Sequence, residues 1–384
     1  MRKPIYLDYH ATTPLDPRVL EEMMPYLTER FGNASSLDHT YGYDASTAVE
    51  SAREQIAKAI GARHDEIIFT SGATESDNLA LVGTMTKYAD RGDHLITCTT
   101  EHKAVLVTAR HLESMGKKVT YLQVNEYGEI DLGELEDAIT EKTVMVSIMT
   151  ANNEIGTIAR IDEIGRMAHE RNVIFHTDAA QAVGHIPMDV QKMNIDLMSI
   201  SAHKVYGPKG IGALYVRGIK PRVRPDPVIH GGGQERGIRS GTLNVPGIVG
   251  FGKAIQIATL EMDSENKKFR LWTDKMLKSF EDIGGKLNGH PTNRLPYNLN
   301  IYFAGVESKA IINSISKEIA ISAGSACTTQ IVEPSHVILA LGYDENRAHS
   351  SIRIGLGRFN KEEEIDYCIE IIAKSVKTLK GITM

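Results

Sequence analysis

The sequence predicts an α/β fold built on a mainly parallel sheet. Three observations carry this: short apolar runs recur along the first two-thirds of the chain, segments of helical period separate most of them, and turns of small or polar residues follow the runs. Strand-like runs fall at 66–70, 94–99, 118–124, 144–149, 173–178, 197–201 and 213–216, so a seven-stranded sheet is expected. Short apolar runs joined by helices mark a sheet covered on both faces. In such sheets ligands lie beyond the carboxyl ends of the strands, where the loops converge.

The other elements follow in order. Asp16 reads as the cap of a helix with Pro17 at its first position, and Val19, Leu20, Met23, Met24 and Leu27 recur behind it at helical spacing. Residues 31–36 break that pattern, and 45–60 resume it with Val49, Ala52, Ile56 and Ala59 on one face. Segments 103–114 and 162–170 are amphipathic helices between strands. The stretch 221–241, rich in Pro, Gly and Arg, reads as an irregular excursion. A long, increasingly charged helix at 248–282 then bridges to an α+β region. That region has a strand at 298–303, a helix near 309–316, a small-residue loop at 322–334, and segments near 352–356 and 361–379. The expected division is a large unit, 15–260, and a smaller one made of 1–14 and 261–384 that carries the loop at about 321–334.

A chain of 384 residues exceeds one ordinary domain, and its formal charge of −6 supports neither nucleic-acid nor membrane-surface binding. No stretch is long and apolar enough to span a bilayer, and the N-terminus meets Asp8 before a secretory core develops. Cys98, Cys327 and Cys368 are too few and too scattered for a disulfide framework or a metal site. A cytoplasmic protein with free thiols is expected.

Chemistry-bearing residues cluster where strands end. Lys204 follows the run at 197–201; it reads either as a surface lysine or as a desolvated amine able to form a Schiff base. Thr70-Ser-Gly-Ala-Thr-Glu-Ser76 opens a helix and reads either as a polar cap or as a phosphate cradle. Asp178 is either another helix cap or the partner of a protonated pyridine nitrogen, and Gln181, three residues on, is in reach of a ring oxygen. His102 is either structural or a ring-stacking proton relay. Asn153 lies in a turn from which its amide could meet a ring or substrate. Four such groups in separate strand–helix units together favour pyridoxal-phosphate chemistry. Cys327 lies in Ser322-Ala-Gly-Ser-Ala-Cys-Thr-Thr-Gln330, a polar run with little to bury, which suits a reactive thiolate better than a packing residue.

With these residues in place the chain resembles the cysteine desulfurases. The motifs run in order from Tyr6-Leu-Asp-Tyr-His-Ala-Thr-Thr-Pro14, through Phe69-Thr-Ser-Gly-Ala-Thr-Glu-Ser76, Glu101-His-Lys103, Ala151-Asn-Asn-Glu-Ile-Gly156, Ser201-Ala-His-Lys204, His230-Gly-Gly-Gly-Gln-Glu-Arg236 and Arg239-Ser-Gly-Thr242, to Gly324-Ser-Ala-Cys327 and Ser350-Ser-Ile-Arg-Ile-Gly-Leu-Gly-Arg-Phe359. The resemblance implies a homodimeric fold-type I enzyme dependent on pyridoxal 5′-phosphate, which takes sulfur from L-cysteine, releases L-alanine and leaves a persulfide on Cys327. It implies that Lys204 binds the cofactor covalently, Asp178 pairs its pyridine nitrogen, Gln181 meets its ring hydroxyl and His102 stacks on it. Ala73, Thr74, Ser201 and His203 would hold the phosphate, with Thr242 reaching in from the partner subunit, and Asn153 and Arg353 would hold the substrate. The sulfur would pass to an iron–sulfur scaffold or another acceptor, and Cys327 could ligate a cluster in such a complex; no resident metal is implied. The chain ends at Met384 without the longer tail that some relatives use for scaffold docking, so that partnership is less expected. His10 stands where relatives vary and is given no role. Selenocysteine lyase and other fold-type I activities are the enzymatic alternatives, and a non-catalytic sulfur-relay or scaffold-binding protein the remaining one.

Overall fold

The computed structural model describes residues 3–324 and 333–383. All seven expected runs join one sheet, in the order Ile67–Thr70, Gly212–Val216, Leu197–Ser201, Ile174–Asp178, Thr143–Ser147, His94–Cys98, Lys118–Leu122. Gly212–Val216 runs antiparallel to both neighbours and every other pairing is parallel. The three central strands are buried at every residue, which is why they carry no polar alternation. Neighbouring residues on one strand serve opposite faces, as the period of two requires. Phe69 and Phe175 pack with Ile56 and Phe251 on one side of the sheet, while Ile68 and Ile174 pack with Leu81 and Leu197 on the other.

The helix Pro17–Thr28 starts as its sequence predicts: Asp16 Oδ1 accepts the Arg18 N–H at 3.0 Å, and Pro17 loses nothing because a first-turn N–H has no helical partner. The following helix begins earlier than its apolar stripe suggested. His39 caps it by accepting the Gly42 N–H at 3.2 Å, so it runs over Thr40–Ala59. Such a cap is hard to read in sequence because histidine is an uncommon cap residue.

A second, antiparallel sheet pairs Ser351–Gly355 with Asn298–Phe303 and Asn298–Phe303 with Gly285–Leu287. Its core includes Phe280, Phe303, Ile352 and Ile372. The bridging helix spans Val245–Glu281, 37 residues or roughly 55 Å at 1.5 Å per residue. Ile248, Phe251 and Ile255 on its first half belong to the core of the large sheet; Phe269, Met276 and Phe280 on its second half belong to the core of the small one. The N-terminal strand Ile5–Tyr6 pairs in parallel with Ile319–Ala320. Among the described residues no helix is long and apolar enough to cross a membrane.

The excursion at 221–241 is irregular apart from a short 3₁₀ turn, Glu235–Gly237, and it is anchored by a buried ion pair. Glu235 accepts two N–H groups from Arg53, each at 2.8 Å, and the backbone N–H of Phe69 at 2.7 Å. Arg53 also donates to the Ile67 carbonyl and lies over the Phe69 ring. The pair thus ties the excursion to the strand that delivers Ser71 and Gly72. Removing one buried charge strands the other, so Glu235→Gln is expected to lower unfolding free energy by about 3 kcal/mol in urea titrations. The double variant Arg53→Met/Glu235→Leu is expected to recover most of that loss, because it leaves no orphaned charge.

Candidate active site

A cavity of about 620 Å³ opens where the strands ending in Thr70, Asp178 and Ser201 run out, within the size range of small-molecule sites. It gathers Ala73, Thr74, His102, Asn153, Asp178, Gln181, Ser201, His203, Lys204 and Arg353, residues spread over most of the chain. Thr242 is exposed and does not line the cavity of its own chain. Cys327 lies outside the described residues.

Lys204 ends the short 3₁₀ turn Ala202–Lys204 that leaves the strand Leu197–Ser201. Its Nζ donates to the backbone carbonyls of His10 at 2.5 Å and Ala11 at 2.9 Å. Burial, and then the positive charge of Arg353, pull the amine from 10.5 down to about 8; Asp178 and Asp8 oppose the shift. At pH 7 roughly one amine in ten is then neutral, against roughly one in three thousand for an ordinary lysine.

Asp178 closes the strand Ile174–Asp178, and its Oδ1 accepts the Ala180 N–H at 2.9 Å. Burial raises its carboxyl above the usual range, while His102, that N–H and Lys204 hold it down. His102 caps the helix Lys103–Ser114: its Nδ1 accepts the Ala104 N–H at 3.1 Å. In the neutral ring the proton therefore sits on Nε2. Burial keeps this histidine below its ordinary pKa, so the neutral ring prevails at pH 7.

The helix Ala73–Lys87 begins at Gly72, which offers no side-chain cap, so the first-turn N–H groups have no such acceptor. A Cβ on Gly212 would come within 2.6 Å of the Gly72 Cα and 2.5 Å of the Ile200 carbonyl oxygen. Only a glycine at 212 lets this turn settle against the strand ends. His203 completes the wall; burial, then the charges of Lys204 and Lys209, lower its pKa to about 4, and its Nδ1 lies 3.1 Å from the Thr12 hydroxyl. The turn is thus lined by N–H groups and a neutral imidazole, a setting for an anion.

Arg353, on the central register of the small sheet, is almost wholly buried. It donates to Asp8 at 2.8 Å and to the Asn153 carbonyl at 3.1 Å, and its Nε has no partner among the described residues. Its remaining N–H groups form a fork suited to a carboxylate. Asp8 and His10 are the residues that sequence reasoning missed. Asp8 pairs with the arginine 345 positions away, and His10 sits against Gln181. Both lie in the Tyr6–Pro14 motif, but nothing in that run gives either a role.

The aminotransferase class-V family model matches residues 5–368, and the chain belongs to that family. Within it the chain falls among the cysteine desulfurases. It is 53% identical to the protein named cysteine desulfurase IscS of Anaeromyxobacter dehalogenans (strain 2CP-C), covering all of this chain and 95% of that one. It is also 53% identical to the one of Rickettsia bellii (strain OSU 85-389), over 99% and 93% of the two chains. Among solved structures, a NifS-like protein superposes with a TM-score of 0.92 at 39% identity, over 98% of this chain and 100% of that one. SspA in complex with cysteine superposes with a TM-score of 0.79 at 41% identity, over 92% and 99%.

The state of Lys204 gives a direct pH expectation. Its neutral, reactive form grows as pH rises through about 8, well below the ~10.4 of an ordinary lysine. In cofactor-free protein, reductive methylation with formaldehyde and cyanoborohydride, followed by peptide mapping, should modify Lys204 with a midpoint near pH 8. A midpoint shared with the bulk lysines would refute the desolvation argument.

Proposed function

We propose that this enzyme takes sulfur from L-cysteine with pyridoxal 5′-phosphate as cofactor, releases L-alanine and holds the sulfur as a persulfide on Cys327. The observation that carries this reading is Lys204: an amine lowered to about 8, at a strand end, in one cavity with Asp178 and His102. The residues fit the cofactor. An uncapped helix start suits its phosphate, a carboxylate at a strand end suits its ring nitrogen, and a depressed lysine suits its aldehyde.

In this reading Ala73, Thr74, Ser201 and His203 hold the phosphate, with Thr242 contributed across a homodimer. Asp178 faces the ring nitrogen, Gln181 the ring oxygen, His102 the ring face, and Lys204 forms the covalent link. When bound, the group supplies an electron sink for charge that develops at the substrate Cα. Arg353 holds the substrate carboxylate through its free N–H groups, and Asn153, whose carbonyl fixes Arg353, lies beside it. Once released, the Lys204 amine takes the Cα proton at Nζ, for which a pKa near neutrality is the suited value. His102 moves a proton at Nε2, the nitrogen its helix cap leaves available. Cys327 accepts the substrate sulfur as a persulfide, and an iron–sulfur scaffold or another protein in the cytoplasm takes it onward.

Large apolar side chains stand exposed on the first helix, the segment after it and the first turn of the next helix, among them Leu27, Phe31, Leu37 and Tyr43. Phe31 and Tyr41, both exposed, meet with ring centroids 5.3 Å apart, and exposed apolar groups that cluster favour association, which supports the homodimer. The exposure of Thr242, outside the cavity of its own chain, supports its assignment to the partner's site.

Three variants test the reading. Lys204→Ala should abolish both the visible band gained on adding pyridoxal phosphate and alanine release from cysteine. Cys327→Ser should keep the band and its change on adding cysteine yet form no protein persulfide; sulfide release at the wild-type rate would sink the proposal. Arg353→Ala should raise KM for cysteine by about 30- to 100-fold, the value of lost hydrogen bonds to a charged group.

A further inference from the structure

His10, which the sequence left without a role, is 1% exposed and makes hydrogen bonds that determine one another. Gln181 Nε2 lies 3.0 Å from the His10 backbone carbonyl. A carbonyl only accepts, so that end of the amide is the nitrogen and Oε1 points the other way. Oε1 lies 3.0 Å from His10 Nδ1, which must therefore carry the ring proton. The Nε2 of a neutral ring is then an acceptor, and it meets Asn298 Nδ2 at 3.0 Å. Asn298 cannot be turned round, because Arg294 donates to its Oδ1 at 2.7 Å and its Nδ2 also donates to the Glu154 carbonyl. Tyr297 stacks on the imidazole with centroids 4.6 Å apart, and its hydroxyl donates to the Gln181 carbonyl and lies 3.3 Å from Oε1.

These contacts involve both ends of the Gln181 amide and leave one Nε2 hydrogen without a partner among them. Oε1 accepts the His10 Nδ1 hydrogen and is flanked by the Tyr297 hydroxyl at 3.3 Å, and one Nε2 hydrogen goes to the His10 carbonyl. What remains for the cavity, which Gln181 lines, is the second Nε2 hydrogen. We infer that His10 is a positioning residue that locks Gln181 as a hydrogen-bond donor, and not an acceptor, toward the ring oxygen of the cofactor. This rests on the pyridoxal-phosphate reading of the site. Burial and then the charge of Arg353, with Lys204 and His185 adding to it, keep the imidazole neutral, so the lock holds across the working pH range. The side chains that hydrogen-bond to or stack on the ring are Gln181, Asn298 and Tyr297, and the neutral form satisfies all three.

A donor held against the ring oxygen stabilises that oxygen as an anion and weakens its grip on the proton of the adjacent Lys204 linkage. The linkage therefore deprotonates at lower pH than it would without the lock. The test is a pH titration of the visible absorbance of cofactor-loaded protein, with no turnover measured. His10→Phe, which keeps the stack on Tyr297 but loses both ring nitrogens, should raise the midpoint by about one pH unit. His10→Gln, which restores a donor toward Oε1, should return it to within about 0.3 of wild type. Gln181→Leu should match His10→Phe, and the double variant should shift no further. Should His10→Phe not fold, His10→Ala is read in the same way. A midpoint unmoved by His10→Phe, or His10→Gln behaving like His10→Phe, would overturn the proposal. Wild-type protein that gains no visible band would overturn the reading of the site itself, and this proposal with it.

Discussion

Two backbone carbonyls hold the amine of Lys204, and the short run of chain that presents them is pinned on both sides. On one side Leu7 donates to the Ala320 carbonyl, and Gly355 donates to Leu7. On the other, Thr13 donates to the His203 carbonyl and Asp16 to the Tyr206 carbonyl. Residues 7–16 are therefore a strap between the small sheet and the strand end that carries the lysine. Without it the amine would face water, and its desolvation would be lost. The same strap seats Asp8 against Arg353 and Thr12 against His203, so its path sets three walls of the cavity at once.

Charge in the cavity is arranged in opposition. Arg353 and Lys204 are two positive groups in one space, and Arg353 depresses the lysine. Asp8 answers the arginine directly, while Asp178 in the cavity wall, and Asp77 and Glu101 outside it, are carboxyls that burial drives upward, Glu101 to about 8. Glu101 is nonetheless tied down, since its Oε1 accepts the Met149 N–H at 2.6 Å. The cavity therefore sets two cations, Arg353 and Lys204, against carboxyls whose ionisation burial opposes.

Sequence exposed the large sheet well because its signal is local: a buried parallel strand is apolar throughout and needs no partner to be recognised. The strand ends then pointed to Lys204, Asp178, Gln181 and His102, which meet in one cavity. The small sheet and the separate N-terminal strand pair were harder. Gly285–Leu287 and Ile5–Tyr6 are too short to show a period, and both take their form from the strands they pair with. Asp8 and His10 were invisible for a related reason. Their meaning lies in partners 345 and 171 positions away, and nothing in the run Asp8-Tyr9-His10 reports that distance. The cap at His39 was missed because its side chain acts through an unusual acceptor, and so the helix began five residues before its apolar stripe.

The bridging helix has a consequence for how the protein comes apart. One continuous hydrogen-bonded rod has its first half locked into one apolar core and its second half into the other. Melting either core strips the rod of the packing that keeps that half helical, and fraying then spreads along its axis toward the other core. Denaturation is thereby coupled end to end, and heat or urea meets a single cooperative body where the two separate sheets would suggest two.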